Sequence, residues 1–248
     1  MSIKDVLRAY GEQKATLDAV MRSLVLHNGW LVDAVLAQHI TKAVRFETLM
    51  MLGTPTNISA NEFWFYTDPD AVNVAVAKGA QLGTYAGYLG GTALFSAVPS
   101  NYAAVRINPG CATDETWFIP QESFAFTALW AQAIALEKQL DLPASPEKLS
   151  ALRDYEGYML LKFPEQDAIV TAVDYGGLRN PAMVFTAIDC ANQVREENPQ
   201  LKLQVVSGRK LFSMLPHQGV DGVVFNPFGP GATAVFDLSI CADVLQEA

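Results

Sequence analysis

The side chains able to do chemistry are few and scattered. Asp68 and Asp70, and Asp114 and Glu115, form two close pairs of carboxylates, and such pairs can hold a divalent cation or divide acid and base roles. Asp70, however, stands three residues after Thr67 in Thr67-Asp68-Pro69-Asp70, the spacing at which a hydroxyl and a carboxylate cap a helix start. Thr186-Ala187-Ile188-Asp189 repeats that spacing, so helix capping is the expected role. Asp114 and Glu115 follow Asn108-Pro109-Gly110 and read as a solvated turn. The counterpart Gly229-Pro230-Gly231 carries no carboxylate.

Cys111 follows a turn, where a nucleophile is often placed, but no histidine lies near it in sequence. Cys190 and Cys241 fall on apolar helix faces, where cysteine acts as a small hydrophobe. Three widely spaced cysteines form no disulfide framework and point to a reducing compartment. His27, His39 and His217 do not cluster with them, so a local zinc motif is absent. Ser96 and Ser213 both follow Leu-Phe, outside any GxSxG elbow. Gly79, Gly83, Gly87 and Gly91 recur every four residues but match neither GxGxxG nor the phosphate-binding GxxxxGK[ST]. The expectation is no catalytic, cofactor-binding or metal-binding constellation.

The elements that would position these residues occur twice. Tyr66-Thr67, Leu94-Phe95-Ser96, Pro99 and Asn108-Pro109 return in the same order as Phe185-Thr186, Leu211-Phe212-Ser213, Pro216 and Asn226-Pro227. That pattern predicts a tandem duplication of a small α/β module, a mixed α+β fold whose mixed sheets are flanked by helices. Each copy starts with a strand, Trp30 to Val35 or Tyr158 to Phe163. An aromatic or apolar strand follows, Phe63 to Tyr66 or Met183 to Phe185, then a helix, Asp70 to Lys78 in the first copy. A strand comes next, Gln81 to Tyr88 or Leu201 to Val206, then the Leu-Phe-Ser helix. A hairpin across the Asn-Pro turn closes each copy, its outer strand being Glu115 to Ile119 or Ala232 to Leu238. The predicted organisation is an N-terminal helical segment 1–29, a first module 30–142 and a second 146–248, with Ser145 capping a helix at Pro146.

Composition narrows the function classes. Acidic residues outnumber basic ones 26 to 17, for a net charge of −9, and Arg209-Lys210 is the densest basic spot. Nucleic-acid binding is disfavoured, while a basic protein partner suits the charge. Charges interrupt the N-terminal residues, so no signal peptide is expected. The most apolar stretch, Phe124 to Leu136, is too short to span a bilayer. A cytoplasmic chain without membrane insertion is the expectation.

The residues that carry the repeat also carry a family resemblance. An aromatic strand ending in Tyr/Phe-Thr, a helix, Leu-Phe, a strand into Asn-Pro and a hairpin strand resembles the SseB family, named for enhanced serine sensitivity. VRINPGCATDETWFIPQESF and VVFNPFGPGATAVFDLS carry it best, within 62–124 and 183–238. The resemblance implies a bacterial protein but no catalytic mechanism or residues. It keeps an immunity or secretion-associated role in view.

The helix predicted over Gln121 to Leu140 departs from that pattern, being apolar on more than one face. It is expected to pack between the modules, with Phe126 and Trp130 the candidate surface for a protein partner or a homodimer. The leading expectation is a non-enzymatic protein-interaction protein. The alternative is a small-molecule-binding protein or enzyme with its site between the two modules.

Overall fold

The computed structural model describes residues 2–33, 49–52, 62–78, 86–98, 102–165 and 168–246. Val35, His39, Gly79, Gly83, Pro99 and residues 81–85, on which parts of the sequence reading fall, lie outside them. The fold is mixed α+β. The chain divides into two units, Met1–Ala131 and Gln132–Ala248.

In the first unit, α1 (Ile3–Gly11) starts at a full capping box. The Ser2 hydroxyl accepts from the Asp5 N–H, and the Asp5 carboxylate accepts from the Ser2 N–H at 3.0 Å. One N-terminal helix was expected and two form. Gln13 turns the chain at a positive φ of 59°, and Thr16 caps α2 (Leu17–Leu26) by accepting from the Ala19 N–H.

The strands of this unit are β1 (Trp30–Asp33), β2 (Leu49–Leu52), β3 (Glu62–Phe65), β4 (Ala86–Leu89), β5 (Ala104–Ile107) and β6 (Trp117–Pro120). Between them lie α3 (Pro69–Ala77) and α4 (Gly91–Ser96). β3 and β5 pair in parallel, and β5 and β6 pair antiparallel across the Asn-Pro turn. β4 lies between β1 and β2, antiparallel to both. A single Leu31–Tyr66 bridge, with N–H to O distances of 2.9 and 3.0 Å each way, ties the two ladders together. The order is therefore β6-β5-β3-β1-β4-β2.

Helix α5 (Phe124–Leu140) contains the division between the units, whereas the sequence reading put its boundary at 143–145. The second unit continues with α6 (Pro146–Asp154), β7 (Tyr158–Lys162), β8 (Ala182–Phe185), α7 (Ile188–Glu197) and β9 (Lys202–Val206). It ends with α8 (Gly208–Met214), β10 (Gly222–Phe225), β11 (Ala234–Asp237) and α9 (Ser239–Gln246). Its sheet has the order β11-β10-β8-β7-β9. β8 and β10 are parallel and the other pairs antiparallel. Ser145 caps α6 as expected, accepting from the Lys148 N–H. The Lys148 ammonium is buried and donates to the Leu140 and Leu142 carbonyls, which satisfies the end of α5.

The core of each unit forms around an aromatic group. Trp30 sits 5.8 Å from Phe95 and 6.1 Å from Phe65, and its indole N–H donates to the Leu24 carbonyl. Tyr158 sits 6.2 Å from Phe212 and 5.6 Å from Phe225, and its hydroxyl donates to the Leu152 carbonyl. Gly91 and Gly208 let the starts of α4 and α8 press against α2 and α6. A Cβ on Gly91 would lie 2.5 Å from the Leu24 carbonyl oxygen, and one on Gly208 2.2 Å from that of Leu152.

Candidate functional site

A buried asparagine organises the polar centre of each unit. Asn108 and Asn226 end β5 and β10 in the left-handed region, at φ 49° and 48°, which asparagine tolerates better than most residues. Asn108 accepts from the Thr67 N–H at 2.9 Å through its side-chain oxygen, and its amide donates to the Glu115 carbonyl. Asn226 does the same with the Thr186 N–H at 2.9 Å and the Ala232 carbonyl. Their backbone N–H groups donate to Phe65 and Val184, both at 2.8 Å. The Asn-Pro signal is thus a clasp joining two parallel strands to a hairpin.

Around these clasps the expected caps are corrected. Thr67 does not cap α3. Its hydroxyl donates to the Asp68 carboxylate at 2.7 Å, and Asp68 is the N-cap, accepting from the Ala71 N–H. Thr186 does not cap α7 either, because Ala187 occupies the cap and has no side-chain acceptor. The Thr186 hydroxyl donates instead to Glu137 of α5 at 2.8 Å. Each threonine therefore meets a carboxylate, from its own loop in one unit and from a distant helix in the other. Sequence reading missed Glu137 because no local pattern links positions 137 and 186.

Asp68 forms one wall of a cleft of about 450 Å³, also lined by Ser2, Lys4, Ser23, Leu26, His27 and Thr67. The Lys4 ammonium lies 3.1 Å from Asp68. The His27 Nε2 lies 3.1 Å from the Thr67 carbonyl. Burial pushes the His27 pKa below its ordinary value, against the raising pull of the Thr67 and Gly29 carbonyls and Asp68. The Asp68 carboxyl stays below its usual range although burial acts to raise it, because Thr67, Ala71 and Lys4 all donate to or pair with it. Lys4, Thr67 and Asp68 are thus engaged with one another, and His27 with the Thr67 carbonyl. In the second unit Tyr155 stands where His27 does, donating from its hydroxyl to the Thr186 carbonyl at 2.5 Å. Gly91 N–H donates to the His27 carbonyl and Gly208 N–H to that of Tyr155.

The remaining candidates have structural partners. Asp114 and Glu115 form a 3-10 turn and pair with Arg8 at 3.1 and 2.9 Å, so the turn is tied to α1 rather than simply solvated. Cys111 is half-buried, with Sγ 3.8 Å from the Ala71 carbonyl, and burial raises its thiol pKa. Cys190 is buried at the point where a Cβ on Gly229 would touch it. The hydroxyls of Ser96 and Ser213 donate back to Thr92 and Lys210 carbonyls of their own helices. Among the described residues no group of three His, Cys, Asp or Glu side chains could hold a metal ion. No described helix is long and apolar enough to cross a membrane.

The two candidate surface residues part company. Trp130 is 3% exposed, with the Arg22 guanidinium 5.7 Å from its ring centroid. Phe126 is 39% exposed and meets Trp130 edge to face at 6.4 Å. Leu129, one turn on from Phe126, is 51% exposed. Phe126 and Leu129 thus form the apolar surface, and Trp130 supports it from the buried side.

No family model matches the chain, and no curated protein matches its sequence. Among solved structures, Anabaena Tic22 (protein transport) is similar over 82% of this chain and 88% of that chain, at 12% identity and a TM-score of 0.22. A likeness of that degree carries no argument about this chain. The features on which a function can rest are therefore the molecule's own.

Proposed function

We propose that this chain is a non-enzymatic protein-interaction protein of the bacterial cytoplasm, made of two SseB-like copies of one module and acting as an immunity or secretion-associated factor. The observation that carries the reading is the Phe126–Leu129 surface on α5. An apolar pair held on a helix and backed by a fixed tryptophan makes an anchor that loses little side-chain freedom on binding. The recurring asparagine clasps, crowded glycines and strand order support the two-copy reading. The engagement of Asp68, Asp114, Glu115, Ser96 and Ser213 with structural partners supports a role without catalysis. The net charge of −9 favours a basic partner.

The test runs the tagged chain and its Phe126→Asp/Leu129→Asp variant side by side against the host lysate. A stoichiometric basic protein, released by salt and held by the wild type alone, supports the proposal. Equal retention on both chains overturns the assigned surface. Turnover of any substrate, abolished by a single polar substitution, overturns the non-enzymatic reading.

A further inference from the structure

The two units differ at one sheet edge. β4 and β9 hold the same place in the strand order. Each pairs antiparallel with the strand that follows a helix, β1 after α2 and β7 after α6. Each leads into a helix that starts at a crowded glycine, Gly91 or Gly208. In the first unit β4 is an interior strand, because β2 pairs antiparallel with its outer edge at Ala86 and Gly87, in a register broken at Met50–Leu52. In the second unit, among the described residues, β9 ends the sheet.

The chain segment that could have covered β9 goes elsewhere. Between β7 and β8 the second unit bridges Ile169 to Lys162 and Thr171 to Ala182, and Met183 N–H donates to the Val170 carbonyl. Those bonds hold the segment to β7 and β8, away from β9. An edge strand offers a row of backbone donors and acceptors. On β9 these run beside Val205, which is 56% exposed, with Leu203 on the same face of the strand.

We propose that the β9 edge binds an extended apolar segment of a partner protein, added antiparallel as β2 is added to β4. The occupant's chemistry follows from β2, whose sequence is Leu-Met-Met-Leu. Backbone hydrogen bonds supply the pairing, and apolar side chains opposite Leu203 and Val205 supply the preference. The inference is independent of the Phe126–Leu129 surface.

The probe is a fluorescein-labelled peptide of residues 47–54, Glu-Thr-Leu-Met-Met-Leu-Gly-Thr, titrated against the full chain by fluorescence polarisation. Saturable binding is expected, weakened about tenfold by Val205→Asp through an unpaired charge in an apolar row. The Phe126→Asp/Leu129→Asp variant should bind it as the wild type does. Amide exchange on the wild-type chain is the second measurement, and it does not depend on a variant folding. The bound peptide should slow exchange across Lys202–Val206. No saturable binding, slowing confined to Ala86–Leu89, or a concentration-dependent dimer that protects β9 without peptide each overturns the proposal.

Discussion

Asn108 and Asn226 each do two jobs, and their removal should show both. Replacing either with alanine leaves a buried threonine N–H and a part-buried hairpin carbonyl without the asparagine partner, and places a less tolerant residue at positive φ. Each substitution should cost about 3 kcal/mol in denaturant unfolding. Replacement of the exposed Asp237, which only bonds Ser239 locally, should cost far less. His27 makes a pH prediction. Its folded pKa lies below that of the unfolded chain, near 6.5, so the unfolded state binds the extra proton first. The stability it confers is complete above about pH 6.5 and falls as the pH drops below that value. Melting temperature should therefore fall more steeply from about pH 7.5 to about 5.5 in the wild type than in His27→Gln, whose amide can still donate to the Thr67 carbonyl. Parallel slopes would remove His27 from the account.

The elements were legible where local chemistry dictates them. Phe63-Trp64-Phe65 and Met183-Val184-Phe185 read as strands and lie within β3 and β8. Ser145-Pro146 read as a helix start and is one, because a hydroxyl before proline has a backbone N–H within reach. The Thr67 and Thr186 caps were misread because a clasp from distant residues already holds those threonines, and spacing along the chain does not show such a partner. Trp130 was misread as surface because α5 is apolar on more than one face, and spacing along the chain does not show which face is covered; Trp130 is buried, with Arg22 over its ring. Gly91 stood out only as one of four glycines at four-residue spacing and Gly208 not at all, since a close backbone approach leaves no mark on its neighbours in sequence. Their role is measurable. Gly208→Ala or Gly91→Ala should each destabilise the chain by about 3 kcal/mol, because the atom in the way is backbone and must shift with its helix. Gly219→Ala, where a Cβ meets no atom but φ is 68°, should cost about 1 kcal/mol.

At the scale of the whole molecule, the two sheets are built with unequal continuity. In the second unit β7 and β8 share a two-residue ladder, Met159 to Phe185 and Leu160 to Val184, inside one five-stranded sheet. In the first unit the same junction is one bridge, with two hydrogen bonds between Leu31 and Tyr66. Opening a cooperative unit requires exposing the contacts at its boundary; Trp30 packs on Phe65 across this one, but its backbone pairing is narrow. The ladder of β1, β4 and β2 should therefore part from β3, β5 and β6 at a lower free energy than any split within the second sheet. Native-state exchange at low denaturant should show the Leu31 and Tyr66 amides exchanging through a sub-global opening, while those of Met159 and Phe185 wait for complete unfolding. One bridge in place of a ladder thus gives the first unit a seam, where a protease or a chaperone would find the chain before it is fully unfolded.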